Sequence, residues 1–305
     1  MIVRDRPTIW QIFFVLRGSI VLRILPLMAG VAALSLLLVV LHRTGVIHLT
    51  GIQPLALSVI GAALAIFAAF RNASAYDRWW EARRLVGQIV IEARSLSRQI
   101  VYIVPQPGDD TARRLALRCV AFVYVVGDFL RDRPIGDGAT RYLRTDEHAA
   151  LQGNGNPPNR LLGCFSTDIA ALLAAGRLST IQASMLEERV HGLTAGFTGA
   201  ERIKVTPMPF VYTLLVHRTA YLFCLLMPFG LADSSGYWTP LLAAIVSYTF
   251  FALDAIGDDL SVPFGNNANC LPLDALARNV EINVLQDLGE QDVPEPLRPN
   301  DYLLT

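Results

Sequence analysis

Residues 24–41 (ILPLMAGVAALSLLLVVL) form 18 consecutive positions without a charge. At about 1.5 Å per helical residue this run reaches ~27 Å, close to the thickness of a bilayer's hydrocarbon core, and so predicts a membrane span. It follows Arg4, Asp5, Arg6, Arg17 and Arg23, and no small-residue cleavage site stands behind it. A retained span is therefore expected rather than a removed secretory signal. A polar link at 43–48 leads into a second uncharged run of 22 residues, 49–70. Pro54 interrupts that run early, and Gly61, Ala62, Ala63, Ala65, Ala68 and Ala69 make it dense in small residues. Small side chains let helices approach closely in lipid, which points to an interior helix.

The next 134 residues, 71–204, have another texture, with charges every few positions and Gly and Pro breaks between periodic stretches. Residues 82–104 place Leu85, Ile89, Val90, Leu96 and Ile100 at mixed three- and four-residue spacing, the mark of an amphipathic helix. Residues 115–130 repeat the pattern, 132–159 carry the turn signals PIGDG and GNGNPPN, and two more helices are expected over 160–175 and 179–193. Apolar runs return at 205–232, which opens on TPMP and holds His217 and Arg218, and at 234–253, which is uncharged. These are the expected third and fourth spans. A helix is expected over 273–288, and VPEPLRPND reads as an extended Pro-rich tail.

The expected organisation is all-α and polytopic. It comprises a cytosolic N-terminal segment (1–23), spans one and two (24–70), a cytosolic helical domain (71–204), spans three and four (205–253), and a cytosolic C-terminal helix and tail (254–305). Arginine crowds the N-terminus and the region after Phe70, whereas the short connections hold few charges. The positive-inside rule then puts both termini and the inserted domain in the cytoplasm of a multi-pass inner-membrane protein.

Composition agrees. The chain of 305 residues is 53% hydrophobic and 17% charged, with mean hydropathy +0.41, too apolar for an ordinary soluble domain. Its 26 basic and 26 acidic residues cancel, leaving no uncompensated basic face for nucleic acid. Cys119, Cys164, Cys224 and Cys270 lie far apart, and the five histidines show no i, i+4 pair, so no metal site is expected. No GxSxG, P-loop or Rossmann glycine pattern occurs, and the protein is not expected to be an enzyme. Asp258 and Asp259 are adjacent, diverge by about 100° on a helix, and read as a solvated acidic end beside a span.

One spacing stands out. Ala62, Ile66 and Phe70 recur every four residues and form a single stripe that ends where Arg71 and Asn72 begin. Such a stripe serves as a packing seam between helices or, if copies of the chain surround an axis, as the wall of a pore.

AIFAAFRNASAYDRWWEAR (65–83) resembles the signature of the bestrophin family, in which the second span runs into an Arg-Trp segment. AERIKVTPMPFVYTLLVHRTAYLF (200–223) is similar to the start of that family's third span, and DDLSVPFG (258–265) to its acidic-x-x-Pro-Phe-Gly stretch after the fourth. The resemblance implies a homopentameric ion channel with a narrow neck in the membrane and a cytosolic vestibule. It maps the neck onto Ala62, Ile66 and Phe70, and the lower cytosolic aperture onto Ile181 in GRLSTIQAS. Apolar rings of this kind gate by expelling water. Ala62 stands where a bulkier aliphatic residue is often found, so the barrier is expected to rest on Ile66 and Phe70. Animal members follow Pro-Phe-Gly with an acidic run that helps clasp Ca²⁺; here the run is Asn266, Asn267, Ala268, Asn269, and no calcium clasp or other cofactor is expected.

The permeant species implied are small monovalent ions, either chloride and other anions or sodium-type cations. An apolar neck has no sign of its own. Arg71 favours anions if it faces the axis and is neutral to the ion if paired with Asp77 or Glu81, while an acidic vestibule lined from 254–295 favours cations. Two other classes remain open from sequence: a secondary transporter, whose inverted repeats and broken helices are not evident, and a non-conducting membrane scaffold or sensor with a partner-binding cytosolic domain.

Overall fold

The computed structural model describes residues 1–4, 8, 10, 15, 18–49, 53–104 and 110–305. Asp5, Arg6 and Arg17 of the basic N-terminal segment, and positions 50–52 of the second uncharged run, lie outside the described residues. Among the described residues the regular structure is helical, and β pairing is limited to isolated bridges of Leu303 with Ile2 and with Asn300. The chain divides into two compact units, one built from residues 4–79 and 207–262, the other from 1–3, 80–206 and 263–305.

The first unit holds α1 (Val21–Arg43), the opening half of α2 (Pro54–Ile103), α8 (Phe210–Ser235), a 3₁₀ turn (Gly236–Trp238) and α9 (Thr239–Ser261). Three stretches, Val21–Arg43, Leu55–Ile103 and Phe210–Ser261, are long and apolar enough to cross a membrane. The last of these is split into α8 and α9 at Gly236, whose φ of +52° suits glycine. A side chain there would also meet Arg43 Nη2, 2.8 Å from the added Cβ. Ile24, Val31, Leu64, Ala220, Phe223, Cys224 and Phe251 make the core of this unit. Phe223 packs edge-on against Phe250 with ring centres 5.1 Å apart. It approaches α2 at Gly61, where a Cβ would stand 2.9 Å from its ring, so the small residue is what admits the phenyl group.

Helix boundaries depart from the sequence expectation in instructive ways. The second span and the amphipathic helix after it are one helix of 50 residues. Composition changes at Arg71, but no Gly or Pro occurs between Gly61 and Gly87, so nothing stops the backbone. Val205 closes α7 (Thr180–Val205), and the TPMP segment separates it from α8. The fourth apolar helix begins at Thr239 with Pro240 in its first turn, and continues to Ser261, two turns beyond the last uncharged residue.

In the second unit, α3 (Thr111–Leu130) is buried almost all round and serves as the central post. The region expected to be turns, 132–159, also holds two short helices, α4 (Asp137–Thr140) and α5 (Thr145–Leu151). GNGNPPN ends as a helix start: Asn156 Oδ1 accepts from the Asn159 amide at 3.2 Å, and Pro157 opens α6 (Pro157–Ala174). Arg118, on α3 and 2% exposed, pairs with Glu147 and lies 2.7 Å from Asp168. Burial pushes the Asp168 carboxyl up, but Arg114 and Arg118 outweigh it and hold the group below the usual carboxylate range. The C-terminal helix α10 (Leu273–Asp287) belongs to the same unit. Its fully buried Glu281 accepts from Tyr124 and Tyr142 hydroxyls, both at 2.5 Å, and pairs with Arg278 at 2.8 Å. Arg131 reaches Asp274 at 2.7 Å. Cys119 is sealed inside, and burial raises its thiol far above the ordinary range.

Candidate ion-conduction surface

The face of α2 turned toward the rest of its unit consists of Leu57, Gly61, Leu64, Ala68, Arg71 and Ala75, alternating four and three residues apart. At about 100° per residue these share one seam, and Ala62, Ile66 and Phe70 fall about 180° away from it. All three are exposed, Ile66 by 57% and Phe70 by 62%. Among the described residues, therefore, the stripe is left largely unpacked by its own chain. Large apolar side chains left outward on the face opposite the packing seam are an assembly surface, a lipid surface or a pore wall.

Ile181 lies in the other unit, on the first turn of α7, and is 75% exposed. Its position is fixed by a capping box: Ser179 Oγ accepts from the Gln182 amide at 3.3 Å, and Gln182 Oε1 accepts from the Ser179 amide at 2.9 Å.

Arg71 does not face outward. Its side chain is 2% exposed, and Nη1 donates to Asp254 Oδ1 at 2.8 Å and to the Asp254 carbonyl at 3.1 Å, while Nη2 donates to Asp258. This corrects the pairing with Asp77 or Glu81. On an unbroken helix those residues stand six and ten positions along, displaced by ~9 and ~15 Å and rotated away by ~120° and ~80°. Glu81 instead meets Arg202 at 2.5 Å. Asn72 is half-buried, with its Oδ1 beside Gly257 and lacking a hydrogen-bond partner among the described residues.

Nor are Asp258 and Asp259 a solvated acidic end. Arg23 pairs with Asp258 at 3.5 Å and with Asp259 at 3.2 Å, and Asp254 takes a second partner in His217 Nδ1 at 2.6 Å. Arg71, Asp254, Asp258, His217 and Arg23 thus form one ionic layer through four helices. Sequence reasoning missed it, although the signal was present: Asp254 and Asp258 are four apart and share a helix face. A guanidinium held by two carboxylates and a carbonyl has its charge balanced where it stands.

Helices of membrane-crossing length, an ionic layer closed within the chain, and an outward apolar stripe that leaves Ile66 and Phe70 exposed are the features of a helical membrane protein. A family model of bacterial and fungal bestrophin proteins matches residues 1–286. A voltage-dependent anion channel-forming protein of Mesorhizobium japonicum is 41% identical over 290 residues, covering 95% of this chain and 93% of that one. The voltage-dependent anion channel-forming protein YneE of Escherichia coli K12 is 38% identical over 249 residues, 81% of each chain. The crystal structure of a bacterial bestrophin homologue from Klebsiella pneumoniae superposes with a TM-score of 0.80 at 33% identity, covering 90% of this chain and all of that one. The chain belongs to the bestrophin family, a family of ion channels.

Proposed function

We propose that five copies of the chain surround a common axis in the bacterial inner membrane, with four spans each and both termini in the cytoplasm, and conduct small monovalent ions. The observation that carries this reading is the disposition of α2, whose packing seam is satisfied within the chain while Ala62, Ile66 and Phe70 point away from it. Repeated around an axis, Ile66 and Phe70 become rings of apolar side chains that dewet the path until they part. Ala62 leaves the upper ring wide, and a ring of Ile181 forms a second constriction in the cytosolic part. Arg71 and Asn72 brace the helix that carries the neck rather than contact the ion. The relatives named as anion channels support anions, chloride among them, as the permeant species. The reading requires no calcium clasp or other cofactor: Asn266, in the loop where acids are replaced by amides, already has its side-chain oxygen occupied by Arg133 at 2.8 Å.

The test is electrical. Purified protein in planar bilayers should pass an ohmic current, and the Ile66→Ala, Phe70→Ala double variant should raise conductance; unchanged conductance overturns the assignment of the gate. Reversal potentials with NaCl against sodium gluconate give the sign of the permeant ion, and a current stoichiometrically coupled to a second ion would make the protein a transporter.

A further inference from the structure

Between α1 and α8 lies an apolar groove of about 650 Å³, closed along one side by Phe251 of α9. Its polar lining residues are His217, Arg218 and Tyr221, of which His217 and Arg218 can carry positive charge. His217 is committed to Asp254. Arg218 is not: it is exposed and has no hydrogen-bond or ion-pair partner among the described residues. It is also the sole Arg, Lys, Asp or Glu between Phe210 and Ala232 in a helix long and apolar enough to cross a bilayer. A guanidinium placed there with no carboxylate among the described residues calls for a counter-charge.

The groove has direction. Arg23 lies three residues before Pro26, the first lining position on α1, and His217 precedes Arg218 on α8; Arg23 and His217 both belong to the ionic layer. From that level the lining continues to Leu34 on α1 and Leu225 on α8, ~12 and ~10 Å further along the helices. One unpaired cation at the polar end of an apolar trough matches a molecule with a phosphate at one end and a hydrocarbon chain at the other. A free anion has no use for the trough, and a covering apolar helix leaves Arg218 unpaired.

We propose that this groove holds one acyl chain of an anionic phospholipid of the surrounding bilayer, with the lipid phosphate bound by Arg218. The site stands apart from conduction and does not depend on it.

Gly30 supplies a clean probe, because a Cβ added there meets nothing within 4 Å. The full chain, purified in detergent, is titrated with dioleoyl phosphatidylglycerol and, in parallel, with dioleoyl glycerol, and bound lipid is counted by native mass spectrometry. One phosphatidylglycerol per chain is expected, with dioleoyl glycerol bound about tenfold more weakly. Arg218→Gln should weaken phosphatidylglycerol by about tenfold, and Gly30→Phe, which fills the trough and keeps the cation, should abolish the one-per-chain adduct. Arg298→Gln removes an exposed cation, 84% exposed, in the other unit and should leave binding unchanged. The proposal fails if Arg218→Gln or Gly30→Phe binds as the parent does, or if Arg298→Gln loses as much as Arg218→Gln. It fails equally if the parent takes up no lipid while Gly30→Phe dissociates the oligomer, because a second copy then covers the groove.

Discussion

Replacing Arg71 by alanine tests whether this residue braces the neck helix or faces the ion. The guanidinium makes two hydrogen bonds to Asp254 and one to Asp258, with Arg71 and Asp254 side chains 2% and 6% exposed. Its removal leaves the Asp254 carboxylate buried with His217 as its remaining partner. Breaking a buried pair from one side costs about 3–5 kcal/mol, because the surviving charge stays desolvated. At ~2–4 °C per kcal/mol for a chain of this order of size, the apparent Tm in detergent should fall by on the order of 10 °C. Arg71→Lys keeps the charge but not the fork that spans two carboxylates, and should lose less. The complementary readout is electrical: Arg71→Gln, in whatever fraction assembles, should retain the parental reversal potential, since a neutralised and buried cation sets no selectivity. A Tm within about 2 °C of the parent, or a shifted reversal potential, would falsify the reading of Arg71 as a closed structural pair.

Two further outcomes follow from the packing. Gly257→Ala puts a methyl group 2.9 Å from Arg71 Nη1 and 3.2 Å from its Cζ, against the Asn72 amide. It should cost about 1–3 kcal/mol as overpacking, while Gly30→Ala, with open space around it, should shift the unfolding temperature little. Burial and the hydrogen bond to Glu281 push the Tyr124 hydroxyl up to about 12. An unfolded tyrosine titrates near ~10, so the stability it contributes is fully present below that pH and is lost as pH rises through the folded value. Glu281→Gln should move the Tyr124 titration down toward the ordinary value, read as earlier phenolate absorbance in the folded protein; an unchanged titration would mean that burial alone sets it.

Some of this was open to reading from the chain, and the limits have physical causes. The stripe at Ala62, Ile66 and Phe70 was legible because helical periodicity is a local property, and the start of α7 because Ser179 carries its own cap. What stayed hidden was which face of α2 its own chain would use. That depends on Phe223, 162 positions from Gly61, finding the gap that glycine leaves. The length of α2 was obscured for the opposite reason: solvent preference changes sharply at Arg71, yet backbone continuity is set by the absence of breakers, and a helix passes through a change of environment without a sequence mark.

The charge balance shows the same separation of local and distant information. By sequence, arginine flanks the early spans and acids follow Asp254, which suggests opposite regions brought together around a symmetry axis. In the fold they meet inside a single chain. Arg71 and Arg23 of the early region are taken up by Asp254, Asp258 and Asp259 of the late one. Arg118, Arg131 and Arg278 likewise find Glu147, Asp274 and Glu281 within their own unit. Neutrality is thus achieved pair by pair at contact distance, each of these cations lying beside its own counter-charge. In the proposed channel, an ion moving along the Ile66 and Phe70 face of α2 meets the cost of dehydration before it meets a formal charge. Under that proposal selectivity comes from groups that remain exposed and unpaired after the ionic layer has closed, and the residues worth mutating for it are those rather than Arg71.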